Sequence, residues 1–439
     1  MTTRSVGLDT ATALVVGEVI GVGIFLTPSE MTKSLGSPFW VLIVWLAVGA
    51  TVFCGSLCYG ELAARYPEAG GGYVYLRKAW GPGVAFLYGW KSLLVMDPGL
   101  TAALATGLAR YAAVLVPLGS LGQKAVAVAA ILMLALINAV GVRMAGAVVR
   151  TLTAFKLLLL GAIVVWGLAS GRGAWSNFQP FIQPRPGSAP LLAGLAGGLI
   201  AAFFSFGGFW DVAKIGGEVK DPTRTLPRAL ALGVGIATLV YILTSGAFIY
   251  LVPIATVGSG SAFAAQAGEV LFGEAGSRVF AAIVVITIWG SLAAVLMAAP
   301  RVYYAMARDG LFLRAVGRLH PRFGTPTRAI ALQAALGCFM VALADFDAII
   351  AYFIFPTVAF IALTIAGIYR LPRPKGETFR IPGYPVTPLG FLILLALLLG
   401  LLAAGRPVEA AVGTAVVALG YPVYRFVLAP RVRSGDEGV

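Results

Sequence analysis

Histidine, cysteine and charge are all scarce in this sequence. One histidine, three cysteines and 11% charged residues are spread over 439 positions. His320 lies in a basic stretch with no partner for acid–base chemistry, no GxSxG appears, and no hydrolytic constellation can be assembled. Cys54 and Cys58 share a helix face at i, i+4, but no histidine or further cysteine joins them, and Cys338 stands alone. Within apolar runs such thiols act as small packing residues. No metal, no cofactor and no enzyme activity is therefore expected. The glycines of GEVIGVG do not make a dinucleotide fingerprint, since no strand precedes them and no βαβ unit follows. The shortage of charge also excludes a soluble fold.

Apolar runs of about 20 residues, the length a hydrocarbon core demands of a spanning helix, recur along the chain. Hydrophobic residues make up 59% of it and glycine contributes 55 positions. The spans are expected over about 9–33, 38–62, 82–112, 124–141, 147–169, 190–218, 229–252, 277–307, 328–345, 348–370, 385–403 and 408–428. The first has no small-residue cleavage site behind it and is not read as a removable signal. The stretch 63–80 is expected as a glycine-rich basic loop, and Pro222 and Pro227 as helix stops. The polar tail after Pro430 is expected to be disordered.

A net charge of +14 is compatible with nucleic-acid binding, but its distribution is not. With twelve spans and a cytoplasmic N-terminus, about 22 of the 32 lysines and arginines fall on the inner side, among them Arg77, Lys78, Arg143, Arg150, Arg224 and Arg228. Lys33, Lys124, Arg172, Arg185, Arg278 and Arg406 fall outside or at outer ends. The excess sets topology in an inner (plasma) membrane, with both termini cytoplasmic, and no nucleic-acid partner is expected.

Two stretches break the apolar pattern. Val15–Pro28 carries Glu18 and three glycines, Gly17, Gly21 and Gly23, and Phe204–Trp210 reads FSFGGFW. Glycine weakens a helix interior by about 1 kcal/mol relative to alanine, and freed backbone groups in lipid must find partners. Such glycines also let a neighbouring helix pack closely. Two broken segments in corresponding positions of two halves point instead to a transporter site built from unwound helices. Five spans from the first break and five from the second give an inverted repeat of about 9–170 and 190–370, with peripheral helices at about 385–428. The expected fold is thus an all-α membrane protein of twelve helices in one transport domain, with the first and sixth broken.

Several motifs then resemble a known family. GVGIF in the first span, YGELAARYPEAGGGYVYLRKAWG after the second, FFSFGGFW…GEVKDPTRTLPRAL in the sixth and RVYYAMARDG after the eighth are similar to the amino acid–polyamine–organocation superfamily. Within it the chain looks most like L-type amino acid transporters, and over Gly290–Tyr352 like bacterial fructoselysine-type permeases. The resemblance implies the five-plus-five fold shared with sodium-coupled neurotransmitter transporters, and alternating access around one central site. It implies that the amides of Gly21, Val22 and Gly23 receive a substrate carboxylate, as a half-helix N-terminus can. Carbonyls left free at Val19, Ile20, Phe204, Ser205 and Gly207 would receive the ammonium, and Phe204 would be the aromatic gate.

Lys156 falls about ten residues from either end of its span, and a lysine buried in mid-membrane is a functional hypothesis by default. By the resemblance its ammonium replaces sodium on the carbonyls of Gly17 and Ile20. Ala298 and Ala299 stand where sodium-coupled relatives need hydroxyls. Both observations argue for sodium-independent transport, by exchange or with protons. Glu18 and Asp97 depart from the usual pattern and suggest a substrate with a second positive charge; each could instead pair with Lys91, Lys156 or Lys214, or stay protonated. The leading reading is a permease or exchanger for amino acids or aminated derivatives, working in the bilayer without an obligate protein partner. Polyamine or other cationic-metabolite carriage and proton-coupled symport are the alternatives. A channel would want a repeated polar lining, and a sensor a soluble output domain; the sequence supplies neither.

Overall fold

A computed structural model of the chain describes residues 4–21, 23–257, 262–343, 346–373 and 378–428. Val22, one of the expected carboxylate contacts, and the tail after Pro430 lie outside the described residues. Regular structure among the described residues is helical, and β pairing is limited to isolated bridges of Val6 with Val219 and Ala69 with Ile215.

The first apolar run splits into α1 (Leu8–Val19) and α2 (Gly23–Leu35), whose axes differ by 42°. The Ser37 hydroxyl accepts from the Trp40 amide and Pro38 opens α3 (Pro38–Arg65), a standard helix start. The stretch expected as a loop contains α4 (Gly72–Trp80), nine residues with Tyr73, Val74, Tyr75 and Leu76 buried. The next span is α5 (Pro82–Lys91), a π-helical segment Ser92–Met96, then α6 (Asp97–Leu115). Pro98 explains the π segment: it offers no N–H and its ring crowds the carbonyl four residues earlier, so the ladder widens locally.

After α7 (Ser120–Val140) and α8 (Val142–Ala169), α9 (Leu191–Ser205) stops, and the chain resumes as 3₁₀ turns over Phe209–Lys214 and Gly216–Glu218. Here α10 (Pro222–Leu251) corrects the sequence reading, because neither proline stops it. Pro222 occupies the first turn, where its missing N–H would have no helical partner anyway, and Pro227 forfeits one ladder bond. A further short helix, α11 (Ala262–Phe272), precedes α12 (Gly276–Ala298), α13 (Pro300–Arg308), α14 (Thr327–Leu343), α15 (Phe346–Ala366), α16 (Val386–Gly405), α17 (Pro407–Ala418) and α18 (Gly420–Val423). Nine helical stretches among the described residues are long and apolar enough to cross a membrane, and the α1–α2 pair makes a tenth candidate.

Packing reverses the soluble pattern. Leu158, Leu192 and Ile393 face outward, whereas Glu18, Lys91, Asp97, Lys156, Asp211 and Lys214 are buried. α1 sits at the centre against α8, α10 and α12, and α2 packs on α9. The two broken segments therefore meet in the interior.

Candidate substrate and coupling site

Close approach fixes the geometry where the breaks meet. A Cβ on Gly23 would lie 2.6 Å from Ser205 Oγ and 3.0 Å from Ser205 Cα, so only glycine lets α2 begin against the end of α9. Thr27 Oγ1 and Ser205 Oγ lie 2.7 Å apart and join the same two helices. Gly208 sits at φ +94, a left-handed conformation, and a Cβ there would meet the Glu18 Cβ at 2.9 Å. Gly21 faces Ser291, while Gly17 stays helical within α1 and packs on Thr153 of α8. Of the three glycines read as a break, Gly17 is thus a packing contact.

Lys156 on α8 is fully buried. Its Nζ donates to Gly17 O at 2.9 Å, Ile20 O at 2.5 Å and Ser291 Oγ at 3.1 Å, one acceptor for each N–H. Ser291 in turn donates to Gly17 O at 2.7 Å. The two carbonyls belong to the C-terminal end of α1, where the helix dipole favours a cation. Ser291 also corrects the reading of the eighth span. Ala298 and Ala299 lie about two turns further along, and a hydroxyl does stand beside the break. Lys156 alone then carries the case against sodium.

The carbonyls expected to be free already have donors nearby. Tyr241 Oη on α10 lies 2.6 Å from both Val19 O and Ser205 O. A phenol has a single proton, so it serves one carbonyl at a time and leaves the other able to accept. Ile20 O is taken by Lys156, and Phe204 O accepts from the Gly207 amide at 2.9 Å. Phe204 and Gly207 are half-buried, and the rings that pack edge-to-face or tilted beside the break are instead Phe206, Tyr241 and Trp45.

The two unusual acids behave differently. Asp97 is committed: Lys214 donates to it at 3.2 Å and Tyr303 Oη lies 3.1 Å away, itself 2.6 Å from Gln333 Oε1. Lys214 also donates to Asp211 at 2.9 Å. Glu18 is 8% exposed, yet among the described residues neither of its oxygens has a hydrogen-bond partner. Lys91 is held by Met96 Sδ at 3.0 Å, Thr357 Oγ1 at 3.4 Å and the faces of Tyr88 and Phe360. On the side of α1 away from α2, Ser5 and Val6 donate to Glu218 O, Lys220 donates to Val6 O, and Arg301 makes a buried two-pronged ion pair with Glu218. Sequence reading missed Tyr241, Ser291, Tyr303 and Gln333. A polar side chain within an otherwise apolar span is the signal that would have found them.

The chain is similar over nearly its whole length to known transporters. The pattern defining the Amino acid permease family matches residues 6–424. The Serine/threonine exchanger SteT of Bacillus subtilis (strain 168) is 31% identical over 395 residues, covering 88% of each chain. The Large neutral amino acids transporter small subunit 2 of Homo sapiens is 29% identical over 435 residues, or 96% of this chain and 80% of that one. The b(0,+)-type amino acid transporter 1 of Oryctolagus cuniculus is 29% identical, covering 86% of this chain and 78% of its own. With that match spanning almost every helix and both breaks, the chain belongs to the amino acid permease family, whose members carry amino acids across membranes.

Proposed function

We propose that the chain is a sodium-independent secondary transporter that moves amino acids or aminated amino-acid derivatives by alternating access. The observation that supports this most is the Lys156 ammonium held by Gly17 O, Ile20 O and Ser291 Oγ at the end of α1. A fixed cation there occupies the oxygen cage that an alkali ion would otherwise use. The start of α2 at Gly23 offers the amides of its first turn to a carboxylate, whereas the Gly21 amide, expected beside them, already donates to Val19 O at 2.9 Å. Whichever of Val19 O and Ser205 O is not served by Tyr241 accepts the α-ammonium, with Ile20, Phe204 and Gly207 completing the surroundings. Asp97 is read as a structural charge, since Lys214 and Tyr303 engage it. A polyamine reading leaves the amides of α2 without a role.

The architecture we assign is twelve spans in one transport domain. Repeats of about 9–170 and 190–370 are followed by peripheral helices at about 385–428, with both termini cytoplasmic. The names of the relatives, a serine/threonine exchanger and a large neutral amino acids transporter, favour small neutral or large neutral substrates and an exchange mode. The human relative is named a small subunit; transport by this chain reconstituted alone would show that it needs no second polypeptide. The test is counterflow of radiolabelled L-serine, L-threonine and L-leucine in proteoliposomes, with sodium or choline as the salt. Equal rates in both salts are expected, and loss of counterflow in choline overturns the sodium-independent reading.

A further inference from the structure

Glu18 stands out among the buried charges because, among the described residues, no donor meets either of its oxygens. Among the described residues Lys214 is the one ammonium within ion-pair distance of the central acids Asp97 and Asp211, and it is shared between them. Asp97 has Tyr303 as a second partner, but Asp211 Oδ1 has none, and neither oxygen of Glu18 has any. Glu18 and Asp211 are 8% and 1% exposed. They belong to different broken segments and face each other. Gly208, whose Cα side abuts the Glu18 side chain, opens the 3₁₀ turn whose Asp211 amide donates to Gly208 O.

Two carboxylates adjoining in a water-poor interior do not both ionise; they share a proton. From the juxtaposition of the unpartnered Glu18 carboxyl and the free Oδ1 of Asp211 across the breaks, we propose that Glu18 and Asp211 together form a proton-binding site and that this proton accompanies the transported amino acid. The inference rests on the transporter reading above and goes beyond its exchange mode, because a proton that moves with the amino acid gives net uptake. The groups that face Glu18 complete the cage. Asp211 and Lys214 come from the turn after the second break, Asp97 from the start of α6 and Lys156 from α8, while Lys91 and Tyr88 of α5 face Asp211. Tyr241 of α10 and Ser291 of α12 are directed at carbonyls of the same break. None of these lysines and hydroxyls donates to Glu18 itself, because each already has other acceptors.

The proton enters as an O–H bond on a carboxylate oxygen while Gly208–Lys214 lies on α1. It leaves as a solvent proton when α1 and that turn separate and water reaches Glu18. No other bond changes. The closed side is held by the Val6–Val219 bridge and the Arg301–Glu218 pair, so breaking these contacts and deprotonating Glu18 belong to one movement.

The test uses the full chain in proteoliposomes and in detergent. By infrared difference spectroscopy at neutral pH, the wild type should show a protonated-carboxyl stretch that shifts in D₂O. Glu18→Gln should abolish it and Asp211→Asn should displace it. With a pH-sensitive dye inside the vesicles, external L-serine or L-leucine should acidify the lumen, and Glu18→Gln should lower the protons moved per amino acid roughly tenfold or more. No carboxyl band in the wild type, or an unchanged band in Glu18→Gln, overturns the proposal. So does a Glu18→Gln variant that keeps its proton ratio but loses L-lysine counterflow, since Glu18 would then hold a substrate cation. If Glu18→Gln does not fold, an unshifted band in Asp211→Asn overturns it. Wild type that performs no amino-acid counterflow refutes the transporter reading, and the infrared band still decides the proton site by itself.

Discussion

Replacing Lys156 by alanine removes three charge-assisted hydrogen bonds at once, and their geometry sets the size of the effect. At about 1.5–3 kcal/mol each, bonds to a charged group amount to roughly 4.5–9 kcal/mol before compensation. Most of that does not reach stability, because removing a buried ammonium also removes a desolvation penalty of several kcal/mol. Ser291 Oγ lies 2.7 Å from Gly17 O and 3.4 Å from Ile20 O, and its single proton serves the nearer, so Ile20 O is the carbonyl left unpaired. Leaving it unpaired costs about 1–3 kcal/mol, and the thermal midpoint should fall only modestly. Transport should suffer more, because the end of α1 is no longer pinned. A loss of roughly tenfold to a hundredfold is expected, about 1.4–2.8 kcal/mol. The vacated space keeps three oxygens, Gly17 O, Ile20 O and Ser291 Oγ, around the former Nζ position. Sodium should therefore stimulate Lys156→Ala while leaving the wild type unaffected. Counterflow in sodium and in choline, beside thermal unfolding in detergent, measures both effects. Wild-type rates in Lys156→Ala without sodium would refute the reasoning.

Gly23→Leu must push α2 off Ser205, so ligand-induced thermal stabilisation by L-serine or L-leucine should vanish while the variant still inserts; a retained shift would place the carboxylate elsewhere. Tyr241→Phe removes the proton shared by Val19 O and Ser205 O and should weaken substrate by about 1–3 kcal/mol, seen as a raised KM in counterflow. Asp97→Asn disturbs Lys214 and Tyr303, so neutral and cationic competitors should lose affinity alike, unlike a residue that touches a substrate side chain. Arg301→Met strands the buried Glu218 and should cost about 3–5 kcal/mol of stability, with Glu218→Gln restoring part of it in the double variant, as read by thermal unfolding.

The breaks were legible because glycine and glutamate within an apolar run conflict with everything a spanning helix needs. Lys156 is legible for the same reason, and the family resemblance supplies its carbonyl partners at Gly17 and Ile20. What stayed hidden depends on tertiary placement. The pairing of Asp97 with Lys214 joins positions 117 residues apart, and no local pattern distinguishes it from pairing with Lys91. Ser291 stays hidden because the resemblance directs attention to Ala298 and Ala299, about two turns further along the eighth span. Tyr241 resembles any aromatic in a lipid-facing run until the fold turns its hydroxyl toward two carbonyls. The short α4 and α11 fall below the length at which apolar runs announce themselves, and Pro227 was read by its general habit rather than by its place near a helix start.

The π segment Ser92–Met96 bears on how this protein can change through insertion and deletion. Its widened ladder accommodates one residue more than a regular helix over the same turn. Deleting one residue between 92 and 96 would let the helix heal into continuous α form, with everything beyond it still on the same faces. A deletion between Asp97 and Thr101, where the ladder is regular, would instead turn one side of the helix through about 100° against the other. Asp97 could then not stay on Lys214 while Thr101 kept the Gln333 amide that donates to it at 2.8 Å. Natural length variation should accordingly be tolerated at this joint and strongly resisted just beyond it.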